Sequence, residues 1–146
     1  MVAADTEQYL FARARRHLCA LALSSVSEIM RPLPLERVAR APSVVLGLSM
    51  IRGRPTIVLD AGRLLGETED SRLGRYLLLR VEQRAVALAV EEVLGIGALP
   101  EPRHDLPPLL SSAQADVVSE IGALDFELLL VLKHGRVLSS YAGEAS

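Results

Sequence analysis

The stretch Tyr9–Ile29, YLFARARRHLCALALSSVSEI, is written again sixty-seven residues later as Tyr76–Ile96, YLLLRVEQRAVALAVEEVLGI. Eight of the twenty-one positions are identical: Tyr9/Tyr76, Leu10/Leu77, Arg13/Arg80, Ala20/Ala87, Leu21/Leu88, Ala22/Ala89, Val26/Val93 and Ile29/Ile96. A repeat of this length fixes the number of structural units before any other reading. It predicts one domain over residues 1–146 made of two similar modules, about 9–70 and 71–138, with room for strands to be exchanged between them. It also turns attention from a single catalytic cleft toward two small modules and the seam between them.

Within each copy the pattern is strand, polar turn, strand. Arg15, Arg16 and His17 form the first turn, and Glu82, Gln83 and Arg84 the second. The strand that follows alternates large and small residues. Cys19, Leu21 and Leu23 share one face and Ala20 and Ala22 the other; Val86, Leu88 and Val90 stand against Ala87 and Ala89. A period of two is a strand signal, and its recurrence strengthens it. The small face predicts close approach of another element, as tightly curled sheets require.

Proline-containing connections follow, at residues 31–42 and 99–108, and neither should be regular structure. Beyond them the likeness resumes loosely, with Ile57-Val58-Leu59 answering Leu130-Val131-Leu132. Gly47 and Gly122 are seventy-five residues apart but Arg63 and Arg136 seventy-three. On that alignment the first half holds two extra residues, placed at the Arg52-Gly53 turn. Asp60 should cap a short turn from Ala61 to Leu65 that Gly66 ends. Residues 108–115 and 136–142 are candidates for short helices, and ETEDSRLG, residues 67–74, for the link between modules. The fold class is all-β: two small five-stranded barrels with a few short helices.

The bulk numbers exclude several classes. A net charge of −2 and a pI near 5.9 lack the basic excess of a nucleic-acid binder. No apolar run approaches the roughly 20 residues of a spanning helix. The first residues, MVAADTEQ, lack the charged and apolar stretches of a signal peptide. Cys19 is alone, so no disulfide framework exists, which suits a reducing cytoplasm. The expected location is cytoplasmic.

Catalytic and metal chemistry find no purchase. His17, His104 and His134 lack ligand spacing, so no metal is expected. Cys19 falls where the second copy has Val86, which marks a small core residue rather than a nucleophile. The paired serines have no glycine elbow, and the glycines of 62–66 and 95–97 form no phosphate-cradling loop. The expectation is that the chain is not an enzyme and carries no cofactor. Arg13, Arg15, Arg16 and His17 read as a solvated turn rather than a phosphate or membrane patch.

The segment VLGLSMIRGRPTIVLD, residues 45–60, resembles the central motif of the CheW family of chemotaxis adaptors. That motif runs from an apolar residue and glycine, through Asn and Arg-Gly, to a strand ending in Val-Asp-Leu. Val26-Ser27-Glu28-Ile29 is similar to the family's Val-x-Glu-Ile, and Leu88-Ala89-Val90-Glu91-Glu92-Val93 to its Leu-x-Val-Asp-x-Val. Pro42 before Gly47, and Ile121-Gly122 to Leu132, match its spacing. Met50 stands where Asn is usual, Lys133 where Asp is frequent, and Glu91 replaces Asp, so the resemblance is to a divergent member.

The resemblance implies two intertwined five-stranded SH3-like barrels without an active site. It also implies coupling of a methyl-accepting chemoreceptor tip to the regulatory domain of a CheA-type histidine kinase. Arg52 then becomes the first candidate for partner binding, with Gly53, Met50, Ile51 and Pro55 around it. An arginine beside glycine presents a planar fork to a partner's carboxylates or carbonyls; the bland alternative is a solvated residue or an internal pair with Asp60. Exposed Met50, Ile51 and Pro55 would form an apolar patch, against burial in the core, which suits Ile51 best. Gly47, Asp60 and Gly122 are expected as turn and cap residues, and Val26, Val93 and Ile29 as scaffold. A second reading makes the seam between the barrels a small-molecule pocket, although no convergent polar groups mark one. Some family members are labelled purine-binding, and nothing in these residues supports a purine site.

Overall fold

The computed structural model describes residues 7–70, 72–81, 83–105, 117–125 and 127–133. The two short helices expected at 108–115 and 136–142 lie outside them. The first copy of the repeat forms β1 (Tyr9–Ala14), β2 (His17–Ala22), a turn of 3-10 helix (Leu23–Ser25) and β3 (Val26–Met30). Then come β4 (Val45–Ile51), β5 (Arg54–Asp60) and α1 (Ala61–Leu64). The second copy forms β6 (Arg75–Val81), β7 (Arg84–Val90) and β8 (Glu92–Gly97), followed by β9 (Val118–Leu124) and β10 (Glu127–Leu132).

These strands build two five-stranded sheets, in the orders β8-β1-β2-β10-β9 and β3-β6-β7-β5-β4. Each sheet therefore takes its central hairpin from one copy of the repeat and its other three strands from the opposite half. The hairpins β1–β2 and β6–β7 are antiparallel, and each joins its third neighbour in parallel, β2 with β10 and β7 with β5.

Alternation along the central strands decides the packing. On β2 and β7, Cys19, Leu21, Val86, Leu88 and Val90 enter one cluster together with Leu10, Leu59, Leu77, Leu79 and Leu130. That cluster draws on both sheets and fills the seam between them. Burial of each such leucine or valine stabilises the fold by about 1.5–3 kcal/mol. The small residues face the opposite way. Ala87 and Ala89 line the inside of one curled sheet with Ile51, Val58 and Tyr76, and Ala20 that of the other with Phe11 and Leu129. Alanine at these positions lets the sheet curl tightly upon itself.

The proline-containing connections close both rings. Glu36 exchanges two 2.8 Å backbone hydrogen bonds with Leu48 of β4, and His104 exchanges bonds of 2.8 and 2.9 Å with Ile121 of β9. Segment 31–36 is further held by Ser49 Oγ donating to the Pro34 carbonyl at 2.8 Å and by Tyr76 Oη donating to Leu33 at 3.3 Å. Residues 31–42 and the described part of the second segment, 99–105, are irregular apart from these bridges, yet each meets the far edge of the sheet its preceding strand belongs to.

The register corrects the two-residue insertion expected at Arg52-Gly53. Val58 lies opposite Ala87 and Val131 opposite Ala20, and Ala20 and Ala87 are repeat partners, so Val58 and Val131 correspond. The hairpins β4–β5 and β9–β10 carry the same bulge, passing over Leu46 in one and Ser119 in the other. Gly47 then corresponds to Glu120, and Gly122 to Ser49. Matching the glycines to each other had shifted the alignment; the two hairpins are equal in length.

Ile29 also departs from its expected scaffold role. Val26 and Val93 pack against the central cluster, but Ile29 is 41% exposed and its repeat partner Ile96 54%. Both sit on the edge strands β3 and β8, which also carry Val26 and Val93.

Candidate functional site

The turn between β4 and β5 has two residues, Arg52 at φ 52° and Gly53 at φ 77°. Positive φ at both positions is the mirror-image type I′ geometry, whose twist matches that of the flanking strands. Glycine takes it freely, and a Cβ at Gly53 would meet nothing within 4 Å. Arginine does so at a cost of roughly 1 kcal/mol.

The Arg52 side chain is 72% exposed. Its Nε donates to Oε1 of Glu28 at 2.7 Å, and Nη2 lies 2.5 Å from the same oxygen. Glu28 is on β3 and Arg52 follows β4, the two edges of one sheet. The pair therefore spans the end of the barrel, on the side where Glu36 also bridges to β4. An internal partner for Arg52 was one of the two alternatives in the sequence, but the partner is Glu28 rather than Asp60.

The residues around the turn divide by strand alternation. Met50 is 61% exposed and Pro55 is exposed beside it. Ile51 is buried among Val58, Tyr76 and Leu78, so it supports the turn from below and shows only a sliver of surface, 4%, to the cleft beside it. Asp60 caps α1: the Gly62 amide donates to its Oδ1 at 2.9 Å, and Arg63 Nε lies 3.8 Å from Oδ2.

Gly47 and Gly122 differ in what they require. Gly47 has φ 152°, and a Cβ there would sit 2.5 Å from the Glu36 carbonyl oxygen. The ring closure at Glu36 thus depends on the missing side chain. At Gly122 a Cβ would meet only ordinary contacts at 3.8 Å.

The basic cluster of the first copy is ion-paired. Arg13 donates from Nη1 and Nη2 to the two carboxylate oxygens of Glu127 at 3.0 and 2.8 Å. These bonds hold the Glu127 carboxyl below its ordinary range. Arg15 pairs with Glu69 and donates to the Asp70 carbonyl; Arg16 and His17 both approach Glu67, at 3.4 and 3.0 Å. The link between modules therefore neutralises the first hairpin's turn. Cys19 is fully buried, and that burial pushes its thiol up to about 12.

Among the described residues no acidic side chain pairs with the arginines of the second hairpin. Arg80, Gln83 and Arg84 are exposed and, with Arg52 and Arg54, line an open cleft of about 710 Å³ floored by Ile51 and Leu78. Sequence reasoning did not bring Arg54, Arg80 and Arg84 together, because β5 becomes a neighbour of the β6–β7 hairpin only in the folded sheet. Their one earlier signal is the repeat identity of Arg80 with Arg13.

Two five-stranded sheets, each seating its central hairpin among strands of the other half, define a class of all-β domain with two interlocked barrels. The chain belongs to the CheW-like domain family, whose model matches residues 8–142. Proteins of this family are non-catalytic scaffolds of chemotaxis. The crystal structure of the scaffolding protein TtCheW from Thermoanaerobacter tengcongensis superposes with a TM-score of 0.74. It shares 17% identity, over 89% of this chain and 90% of that one; at that identity the likeness speaks for the fold. No curated protein matches the chain by sequence. Among the described residues no helix is long and apolar enough to cross a membrane, and no group of three or more His, Cys, Asp or Glu side chains could hold a metal ion.

Proposed function

We propose that the chain is a chemotaxis-type adaptor that couples a methyl-accepting chemoreceptor tip to the regulatory domain of a CheA-type histidine kinase. The β4–β5 tip is one of its docking surfaces. The observation that carries this reading is Arg52, held in a left-handed conformation with its guanidinium exposed beside Met50 and Pro55. An apolar patch next to an arginine fork is a combination that partner interfaces favour. The second reading, a small-molecule pocket at the seam, is disfavoured because Leu10, Leu21, Leu77 and Leu88 fill that space.

A charge swap separates docking from internal bracing. Arg52→Glu sets two carboxylates against each other at the barrel end; adding Glu28→Arg restores an opposite-charge pair. On the docking reading, Arg52→Glu weakens binding of the kinase regulatory domain about tenfold or more. The double variant then recovers thermal stability but not binding. Recovery of binding by the swap would show that Arg52 acts only by holding β3, and would sink the proposed contact. Absence of any binding between the wild-type protein and its cognate kinase domain would count against the adaptor reading itself.

A further inference from the structure

The two barrels are built alike, and comparing them position by position shows an ion pair of one barrel that the other replaces with two cations. In the first hairpin's barrel, Arg13 on β1 reaches across β2 to Glu127 on β10 and makes a two-bond pair with its carboxylate. In the other barrel Arg80 on β6 corresponds to Arg13 through the repeat. Arg54 on β5 corresponds to Glu127 through the register that equates Val58 with Val131. Where one barrel has a cation and an anion, the other has two cations.

Among the described residues that line the cleft, every charged one is an arginine. Arg84 lies at the start of β7 on the same cleft, and among the described residues no hydrogen bond or salt bridge engages the guanidinium of Arg54, Arg80 or Arg84, while the Arg54 carbonyl accepts from Thr56 Oγ1. Arg52 stands at the rim, engaged by Glu28. The floor is apolar, with Ile51 and Leu78 beneath the guanidinium groups. Like charges gathered at one place repel and are relieved by an opposite charge.

We propose that this cleft docks an acidic segment of a partner protein, with one carboxylate taking the place that Glu127 holds in the other barrel. The template is internal: the chain itself shows how an arginine at this position binds a carboxylate, through both oxygens. A carboxylate-bearing peptide fits better than a nucleic acid because the apolar floor accepts side chains, and because the chain as a whole is acidic. The proposal does not depend on the adaptor reading, since it requires only the arginines and their charge, which no described residue matches.

The probe is a short fluorescein-labelled peptide of alternating glutamate and leucine, followed by fluorescence anisotropy at low salt. A lysine–leucine peptide serves as the control, and a single-stranded oligonucleotide as a competitor. The acidic peptide is expected to bind and the basic one not, with affinity falling as salt rises. Arg80→Ala and Arg84→Ala should each weaken binding about fivefold, the range of exposed ion pairs.

Arg54→Glu is the decisive variant. It reproduces within this barrel the pairing of Arg13 with Glu127, so it should abolish peptide binding while leaving the thermal midpoint unchanged or raised. Failure of the acidic peptide to bind, or binding that Arg54→Glu and Arg80→Ala leave untouched, would overturn the proposal. So would tighter binding of the oligonucleotide than of the peptide. Concentration-dependent self-association in sedimentation, lost on Arg80→Ala, would reassign the cleft to a second copy of this chain. The cleft shares Arg52 and Pro55 with the β4–β5 tip, and the two failures are told apart by the probe: the peptide assay contains no kinase domain, and Arg80→Ala lies outside the tip.

Discussion

Arg13 on β1 and Glu127 on β10 are joined through both carboxylate oxygens, at 2.8 and 3.0 Å, across the intervening strand β2. The two residues come from opposite halves of the chain, so their pairing exists only because the first hairpin is seated among strands of the second half. The bond to Arg13 is the main cause that lowers the Glu127 pKa from its ordinary 4.5.

That direction fixes a pH dependence. A carboxyl whose folded pKa lies below its unfolded value contributes stability fully above the unfolded value, and loses it as pH falls through the folded one. The wild-type protein should therefore exceed Glu127→Gln in urea midpoint at neutral pH by a constant margin. The margin should begin to shrink as pH drops toward 4.5 and vanish in more acid solution. A margin independent of pH across this window would show that the pair contributes nothing through charge.

Gly47 and Gly122 looked alike in the sequence and are predicted to respond differently to alanine. Gly47→Ala places a Cβ 2.5 Å from the Glu36 carbonyl oxygen at a φ that L-residues avoid. It should cost roughly 2–3 kcal/mol, the sum of backbone strain and a weakened ring closure. Gly122→Ala meets only 3.8 Å contacts and should stay within about 1 kcal/mol of the wild type. Denaturant titrations of the two variants check this, and equal losses would refute the account of ring closure.

Cys19 is shielded on β2, with its thiol donating to the Ala12 carbonyl at 3.4 Å and its pKa pushed up to about 12 by burial. A thiolate is the reactive form, so the native protein should resist Ellman's reagent at mildly alkaline pH and react fully once unfolded in urea. Rapid labelling of the folded protein would show that β2 opens readily.

Much of this architecture was legible beforehand, for reasons that lie in particular residues. The alternation of Val86, Leu88 and Val90 with Ala87 and Ala89 announced a strand with two unequal faces, and the fold uses both. Asp60 followed by Ala61 announced a capped turn. Arg52-Gly53 announced a hairpin tip, because few residues besides glycine suit its second position. The cleft of Arg54, Arg80 and Arg84 was not legible, since Arg54 lies on β5, whose place beside the β6–β7 hairpin is a matter of sheet order. Nor was the exposure of Ile29, which shares the edge strand β3 with the packed Val26.

Local pattern is enough to make strands and hairpins, because side-chain periodicity and turn chemistry act within a few residues. The sequence by itself therefore determined two hairpins of one design, their large and small faces, and the tips that end them. It could not determine which hairpin would enter which sheet: the two copies carry nearly the same pattern, so either could be matched to either set of partners on pattern alone. Only the tertiary structure decided that each hairpin crosses to the other half, through the shared core of Leu10, Leu77 and Leu88 and the parallel pairings with β10 and β5. The same choice set Arg13 against Glu127 and Arg80 beside Arg54, giving two similar barrels different charges to offer a partner.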